Sequence, residues 1–375
     1  MTKISITLLG AAALLAESGS AATLSALSSF GGGDGVLVPA DYGGSGLAGG
    51  TERHFAYNPA TDNLVLVSRN VTNAVRTYNS QTGAAVGTLA APGGGYASGA
   101  LNITAVGVTT DGQIFVSNLN AGNAGGTALL SVYGWTNEGT ASPTTSTYAI
   151  PNGLRFGDSM DALGSGGTAQ IVLGSNIGTA ATPGADGFAI TTATALGAAT
   201  FTPTIVDPAA GSVDGAFRLS AAFVDNNTII GNQNGITRIT DFSGTTASGL
   251  STITLATASS ERHVNTIAIL GKTYLATLDS LSAAERNTVR VYELSGTTAT
   301  LQATANLIGT ASAAGQSNGN GTGDIEWGKV TGDSATLYSL TTNYGLQAFT
   351  FQVPEPSVLM LGGLAVGMAM RRRRY

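Results

Sequence analysis

Residues 52–67 read ERHFAYNPATDNLVLV, and residues 261–277 read ERHVNTIAILGKTYLAT. Each stretch opens with Glu-Arg-His, continues as an apolar segment, passes through a turn and ends in a second apolar segment. Apolar segments separated by turn residues such as Asn-Pro, Asp-Asn and Gly-Lys are typical of β-hairpins. The echo, which contains both histidines of the chain, therefore predicts a β-structural unit that recurs along the sequence.

Looser copies of this unit lie between and after the two stretches. Paired apolar segments occupy residues 103–117, 160–173, 217–230 and 325–340. A third segment with an aromatic residue follows most of the pairs, at residues 75–78, 130–133, 289–292 and 346–349. The unit is therefore a meander of three or four strands that recurs about six times, with a length of about 50 residues.

Repeated meanders of this length predict an all-β protein, and they resemble the blades of the β-propeller superfamily. A blade cannot bury both of its faces alone, so neighbouring blades supply the core. We expect a six-bladed β-propeller, without the Trp-Asp or kelch signature of a named propeller family. An elongated sandwich and a β-solenoid are the structural alternatives. The last unit ends at residues 351–352 without a fourth strand, and we expect residues 35–38 to pair there and close the ring.

The composition favours strands over helices and excludes several classes of function. Charged residues make up 10% of the 375 residues, whereas helices need charged side chains on their wet faces. The net charge is −6, and −10 without the four C-terminal arginines, so we expect no nucleic acid as a partner, because such binding depends on neutralising phosphates. The chain has no cysteine, which excludes disulfides and thiolate metal sites. No motif predicts a cofactor.

The N-terminus has the layout of a secretory signal peptide. Lys3 precedes an apolar run at residues 4–16, and small residues follow it. A positive charge, an apolar run and a small-residue cleavage region are the three parts of such a signal. A buried helix of the mature fold is the alternative. We expect the signal peptide to occupy residues 1–22, with cleavage between Ser20 and Thr23, and the body to occupy residues 23–352.

The C-terminal tail, residues 353–375, combines three elements. A Pro-Glu-Pro segment is followed by an uncharged apolar run at residues 357–370 and by a basic end at residues 371–374. The prolines keep the first segment extended. As a helix, the apolar run spans about 21 Å, short of the ~30 Å hydrocarbon core. The arginines hold their end in the cytoplasm, so we expect a short C-terminal transmembrane helix with the body outside.

This order resembles the PEP-CTERM sorting tail of Gram-negative bacteria, over the last 23 residues of the chain. The resemblance implies recognition by exosortase, a membrane cysteine protease or transpeptidase. It implies transient anchoring in the inner membrane, cleavage at or near the Pro-Glu-Pro segment, and delivery to the cell surface or extracellular matrix of a bacterium that makes exopolysaccharide. A plain single-span anchor with a proline-containing stalk is the alternative. The residues that form the sorting signal are Pro354, Glu355, Pro356, Arg371, Arg372, Arg373 and Arg374.

Several ionisable residues of the body fall at the predicted starts of the innermost strands, where the loops of a propeller line the mouth of its channel. The candidates are His54, Asp158, Asp161, Asp214, His263 and Asp324. Two histidines and several carboxylates suit a divalent cation or a sugar. The alternative interpretation is that each side chain caps a turn or satisfies backbone amides.

No catalytic pattern stands out in the body. The chain lacks a thiol nucleophile, and none of its serines lies in a Gly-x-Ser-x-Gly segment with a strand-turn-helix context. We therefore expect a non-enzymatic structural or adhesive protein of the cell surface or biofilm matrix, with exosortase and exopolysaccharide as partners. One alternative is a carbohydrate- or metal-binding module. The other is an extracellular glycan-active enzyme that uses the channel-mouth carboxylates, which would need a pair about 5–10 Å apart.

Overall fold

The computed structural model describes residues 21–43, 46, 49–177, 187–206, 216–233, 235–255 and 261–353. Nearly all of the predicted signal peptide and the tail from residue 354 onward, including the helix predicted at residues 357–370, lie outside this part of the chain. The described residues form strands almost throughout, which confirms the all-β class. Three single-turn 3₁₀ helices interrupt them, at Phe30–Gly32, Gly166–Thr168 and Ala195–Gly197. None of these described helices has the length and apolar character needed to cross a bilayer.

The described part of the chain contains 25 strands. In chain order they are β1 (Thr23–Ala26), β2 (Val36–Leu37), β3 (Glu52–Asn58), β4 (Asn63–Ser68), β5 (Ala74–Asn79), β6 (Ala85–Thr88), β7 (Leu101–Val108), β8 (Ile114–Ala121), β9 (Leu129–Trp135), β10 (Thr144–Ala149), β11 (Leu154–Leu163), β12 (Gln170–Ile177), β13 (Phe188–Thr192), β14 (Thr204–Val206), β15 (Ser220–Asp225), β16 (Thr228–Gln233), β17 (Ile236–Ser243), β18 (Thr246–Ile253), β19 (Glu261–Ile269), β20 (Lys272–Asp279), β21 (Val289–Ser295), β22 (Thr298–Ala305), β23 (Gly323–Thr331), β24 (Ser334–Thr341) and β25 (Gly345–Gln352).

These strands form six antiparallel meanders of four strands each. Five follow the chain as β3–β6, β7–β10, β11–β14, β15–β18 and β19–β22, and the sixth consists of β23, β24, β25 and β1. A short pairing of Asn120 and Ala121 on β8 with β11 joins the second and third meanders into one larger sheet. The hairpin between β19 and β20 shows why the turns are tight. Its two central residues, Leu270 and Gly271, both have positive φ (50° and 77°), the conformation that matches the twist of a two-residue hairpin.

The first strands of the six meanders, β3, β7, β11, β15, β19 and β23, lie against one another in a closed order. Each contacts the first strand of the next meander, and β23 returns to contact β3. Every meander therefore has two neighbours, including the first and the last in sequence.

Six apolar clusters fill the spaces between neighbouring meanders. Strand β4 shows how one meander serves two clusters. Leu64 and Leu66 pack with residues of the sixth meander, whereas Val65 and Val67 pack with residues of the second. Successive side chains of a strand point to opposite faces, so a strand covered on both faces reads as a continuous apolar run.

The two ends of the body meet in the sixth meander. Strand β1 pairs antiparallel with the end of β25, from Thr23 opposite Gln352 to Ala26 opposite Phe349. Strand β2 pairs with the start of β25 on the same edge. The predicted closing segment, residues 35–38, therefore does pair with the last strand, but the expectation missed the longer pairing of β1. A turn with several glycines at positive φ, among them Gly31 and Gly35, lets the chain return to the same edge.

The pairing of β1 predicts a face-dependent effect of substitutions in this strand. Leu24 is half-buried against the apolar cluster between the fifth and sixth meanders, whereas Ser25 is exposed. Leu24→Asp should lower the free energy of unfolding by about 1–3 kcal/mol because it places a charge against apolar side chains. Ser25→Asp, the matched control, should change it by less than about 0.5 kcal/mol. Denaturant unfolding followed by circular dichroism measures both, and equal losses would contradict the pairing.

Candidate functional site

The first strands carry polar side chains into the middle of the ring, where these side chains bridge neighbouring strands. Asp324 of β23 reaches β3: its Oδ2 lies 2.8 Å from Nδ1 of His54 and accepts the backbone N–H of Phe55 at 3.1 Å. Its Oδ1 accepts the N–H of Ile325 at 2.9 Å. His54 and Asp324 are both buried, so this pair ties the sixth meander to the first away from water.

Asp161 of β11 makes a similar bridge to β15. Its Oδ2 accepts the backbone N–H of Phe223 at 2.8 Å, and its Oδ1 accepts the N–H of Ala162 at 2.7 Å. Burial raises the pKa of Asp161 to about 6, the two backbone hydrogen bonds oppose this rise, and the carboxylate of Asp324 adds to it. Removal of the carboxyl group from water is therefore the largest of these effects.

Uncharged side chains bridge two further pairs of first strands. The hydroxyl of Ser220 on β15 accepts the N–H of Val264 on β19 at 3.0 Å and donates to the carbonyl of the same residue at 3.0 Å. The amide of Asn265 on β19 donates to Oε2 of Glu326 on β23 at 2.9 Å. The indole N–H of Trp327 donates to the carbonyl of Asn265 at 3.3 Å. The bridges thus continue around the ring with neutral donors.

Glu326 belongs to this set, although it is not among the candidates predicted from the sequence. Burial raises its pKa well above the usual value, the carboxylates of Asp324 and Asp161 raise it further, and the hydrogen bond from Asn265 lowers it. The missed signal is its spacing, since residues two apart on a strand point to the same face. Asp324 and Glu326 therefore both point from β23 toward the centre.

These side chains enclose a small space that we name the central cavity. Its polar lining consists of His54, Ser159, Asp161, Ser220, Asn265, Asp324 and Glu326. The volume open to the centre of a water molecule is about 10 Å³. That is room for about one water molecule, and it is far too small for a sugar ring.

His263 of β19 lies beside the central cavity. Its Nε2 is 3.1 Å from the carbonyl oxygen of Gly321 and 3.2 Å from the hydroxyl of Ser280. Burial lowers the pKa of His263 to about 4; the nearby Asp324 carboxylate opposes this effect and His54 adds to it. His263 is therefore neutral at physiological pH.

Asp158 does not line the central cavity, although it is only three residues before Asp161. Both of its oxygens accept hydrogen bonds from Arg155, at 2.6 and 2.8 Å, and Oδ2 also accepts one from Nε of Arg218 at 3.0 Å. The two arginines outweigh the effect of burial and lower the pKa of Asp158. Asp214, the sixth predicted residue, lies outside the described part of the chain.

A second and larger cavity opens at the end of the ring where the first strands begin. We name it the arginine cavity, because its charged lining consists of Arg53, Arg69, Arg155 and Arg218. Its volume is about 500 Å³. The sequence did not predict this cavity, since the four arginines are far apart in the chain. The available signal was the position of Arg53 and Arg218, each within two residues of the start of a predicted first strand.

The structure therefore divides the predicted mouth residues. His54, Asp161 and Asp324 line the central cavity, His263 lies next to it, and Asp158 binds two arginines of the larger cavity. Asp161 and Asp324 accept backbone N–H groups from neighbouring strands, which is the contact that the backbone-satisfaction interpretation describes. Within the described residues, no three or more His, Asp or Glu side chains are arranged to hold a metal ion.

Comparison with known proteins identifies the tail and the fold. Residues 352–374 match the PEP-CTERM protein-sorting motif, which confirms the resemblance seen in the sequence. No curated protein matches the chain. The structure is similar to that of a DUF4623 family protein from Bacteroides eggerthii, with 15% identity, a TM-score of 0.60, and coverage of 84% of this chain and 73% of that chain. It also aligns with a luciferin-regenerating enzyme at 12% identity, over 84% of this chain and 94% of that chain, with a TM-score of 0.43, too low to support any inference. At these identities the similarity concerns the fold alone.

The bridge between the sixth and first meanders predicts a large loss of stability on truncation of its acceptor. Asp324→Ala leaves both the His54 side chain and the Phe55 N–H without the carboxylate, so the free energy of unfolding should fall by about 3–5 kcal/mol. Asp324→Asn, the control, keeps an oxygen that can accept the Phe55 N–H and should lose less. Guanidinium unfolding at neutral pH measures the difference. Equal losses of unfolding free energy in the two variants would show that the hydrogen bond from the Phe55 N–H does not stabilise the fold.

The raised pKa of Glu326 predicts a pH-dependent effect on stability. Because its pKa in the folded chain lies well above the unfolded value, this group stabilises the fold at low pH, and that contribution is lost as pH rises through the folded-state pKa. Glu326→Gln removes the titration. The variant should melt at a higher temperature than wild type at pH ~8, and the difference should shrink toward pH ~4.

His263 contributes to stability with the opposite pH dependence. This contribution cancels when wild type and Glu326→Gln are compared at the same pH. Since its pKa falls to about 4 on folding, His263 stabilises the fold above its unfolded pKa of about 6.5, and this contribution is lost as pH falls through about 4. A melting-temperature difference between wild type and Glu326→Gln that stays constant from pH ~4 to pH ~8 would contradict the assignment to Glu326.

Proposed function

Because the chain carries a PEP-CTERM protein-sorting motif, which marks an exported protein processed by exosortase, we propose that its body acts at the cell surface or in the extracellular matrix. There it serves as a non-enzymatic structural or adhesive protein, in contact with the exopolysaccharide of a biofilm. Before processing, the tail holds the chain transiently in the inner membrane through its apolar run at residues 357–370. The observation that carries the proposal is the motif itself, placed directly after the last strand of the body.

The pairing at the ends of the body supports processing on both sides. Strand β1 begins at Thr23, just after the predicted signal peptide, and β25 ends at Gln352, where the sorting motif begins. Thr23 and Gln352 are partners in the same antiparallel pair. Removal of the signal peptide and of the tail therefore leaves the two terminal strands, and the sheet they share, complete.

We further propose that the six meanders are the blades of a six-bladed β-propeller, closed by β1. The closed contact order of the first strands supports this arrangement. So do the six apolar clusters, one between each pair of neighbouring meanders. A closed ring with an apolar cluster between each pair of meanders gives an exported body a stable frame that needs no disulfide.

The contacts of the central carboxylates support a non-enzymatic role. Asp161 and Asp324 hold backbone N–H groups, and the cavity between them has room for about one water molecule. A glycan-active enzyme of the kind considered from the sequence would need these carboxylates to reach a sugar ring. Turnover of polysaccharide by the purified body, lost in Asp161→Asn, would favour that alternative.

Replacement of the Pro-Glu-Pro segment tests the sorting proposal. With Pro354, Glu355 and Pro356 changed to alanine, a host with exosortase should retain the full-length chain in its membrane fraction. The wild-type chain should yield a shorter, released body. Immunoblotting of membrane and culture fractions, with mass spectrometry of the mature C-terminus, measures both.

A matched control is the pair Gly93→Ala and Gly94→Ala, because an added methyl group meets no atom within 4 Å at either position. This variant should be processed like wild type. The proposal fails if the chain without Pro-Glu-Pro is trimmed and released as efficiently as the control.

A further inference from the structure

We propose that the arginine cavity is a binding site for an oxyanion group, namely the carboxylate, sulfate or phosphate of an extracellular ligand. This inference goes beyond the sorting proposal and does not rest on it, because it concerns only the folded body. It depends on the position of four arginines, on their contacts and on the size of the space they line.

The arginines converge from three meanders onto the entrance of the ring. Arg53 lies on β3, Arg69 directly follows β4, Arg155 lies on β11, and Arg218 precedes β15 by two residues. The chain has 16 basic residues in all, of which Lys3 and the four arginines of the tail lie outside the described part. A chain with a net charge of −6 thus gathers four of its few cations around one cavity.

Three of these arginines are held in place by the protein. Arg155 and Arg218 share the carboxylate of Asp158. Arg69 donates to the backbone carbonyls of Ile103, at 3.2 Å, and of Gly50. Their guanidinium groups are therefore fixed before any ligand arrives, which limits the conformational entropy lost on binding.

Arg53 is the arginine of this cavity that remains available to bind a ligand. Within the described residues its guanidinium group makes no hydrogen bond or ion pair, although it is half-buried and lines the cavity. Burial lowers the pKa of Arg53; Asp158 opposes this effect, and Arg155 and Arg218 add to it. Three cationic groups thus act on one another around a single carboxylate, and a bound anion would relieve their repulsion.

The chemistry of arginine defines the ligand class. A guanidinium group presents paired N–H donors that match the oxygens of a carboxylate, sulfate or phosphate. The cavity volume of about 500 Å³ lies within the range of ligand sites, about 300–1,000 Å³, so it can accept a ring that carries such a group. The central cavity, about fifty times smaller and lined by acidic groups, cannot take that ligand.

Titration calorimetry with the purified full-length chain tests the proposal. The probes are a galacturonate oligosaccharide, a sulfated oligosaccharide and inorganic phosphate, with a neutral oligosaccharide of equal length as the blank. We expect at least one anion to bind, the neutral sugar not to bind, and the affinity to fall as salt rises from about 50 to about 300 mM. Tighter binding of an oligosaccharide than of phosphate identifies a saccharide ligand, whereas equal binding identifies a free anion.

Variants of Arg53 assign the binding to this cavity. Arg53→Gln should lower the affinity for the anion roughly 10- to 100-fold. Arg53→Lys should lower this affinity less, because the charge remains. Arg238→Gln, the matched control, removes the same charge from β17, outside the cavity lining, and should bind like wild type. Because Arg53 makes no hydrogen bond or ion pair within the described residues, neither variant should unfold at a lower temperature than wild type.

Two results would overturn the proposal. One is the absence of binding for all three anions at low salt. The other is an unchanged affinity in Arg53→Gln, or an equal loss in Arg238→Gln, either of which would place the anion outside the arginine cavity. Neither result would bear on the sorting proposal, since exosortase is absent from the experiment.

Discussion

The structure depends on how the free edges of its six innermost strands are satisfied. Each first strand uses one edge to pair with the second strand of its own meander, so its other edge faces the first strand of the next meander. A buried N–H group without a partner destabilises the fold. Carboxylates and hydroxyls of neighbouring strands accept these groups, as Asp324 does for Phe55 and Asp161 for Phe223. The ring can close because polar side chains accept the backbone N–H groups that would otherwise need a hydrogen-bonded neighbouring strand.

This arrangement places a positively charged layer and a negatively charged layer one after the other along the first strands. The arginine cavity lies at the entrance, and the central cavity, with Asp161, Asp324 and Glu326, lies further along the same strands. Asp161 and Asp324 stabilise the fold because they accept backbone N–H groups, whereas the arginines at the entrance line an open cavity. The acidic layer and the arginine-lined layer are therefore adjacent along the same strands.

Much of the fold was accessible from the sequence, because strands leave a local signature. The Glu-Arg-His echo, the apolar pairs and the turn residues predicted the six meanders and most of their boundaries, including β19 and β20. The role of β1 was not predictable, since Thr23–Ala26 is a short segment with no turn signal of its own. Its pairing with β25 spans more than 300 residues of chain, and only the closed ring brings the two strands together.

For function, the sequence alone identified the chain as an exported protein that carries a signal for sorting by exosortase. The Pro-Glu-Pro segment, the apolar run and the arginines form a contiguous signal, and a linear signal needs no tertiary structure to be recognised. The tertiary structure decided what the body's ionisable residues do. It placed His54 against Asp324, assigned Asp158 to two arginines and gathered four arginines into one cavity. Those contacts join residues up to 270 positions apart in the chain, so they arise from packing between meanders, which local sequence patterns do not encode.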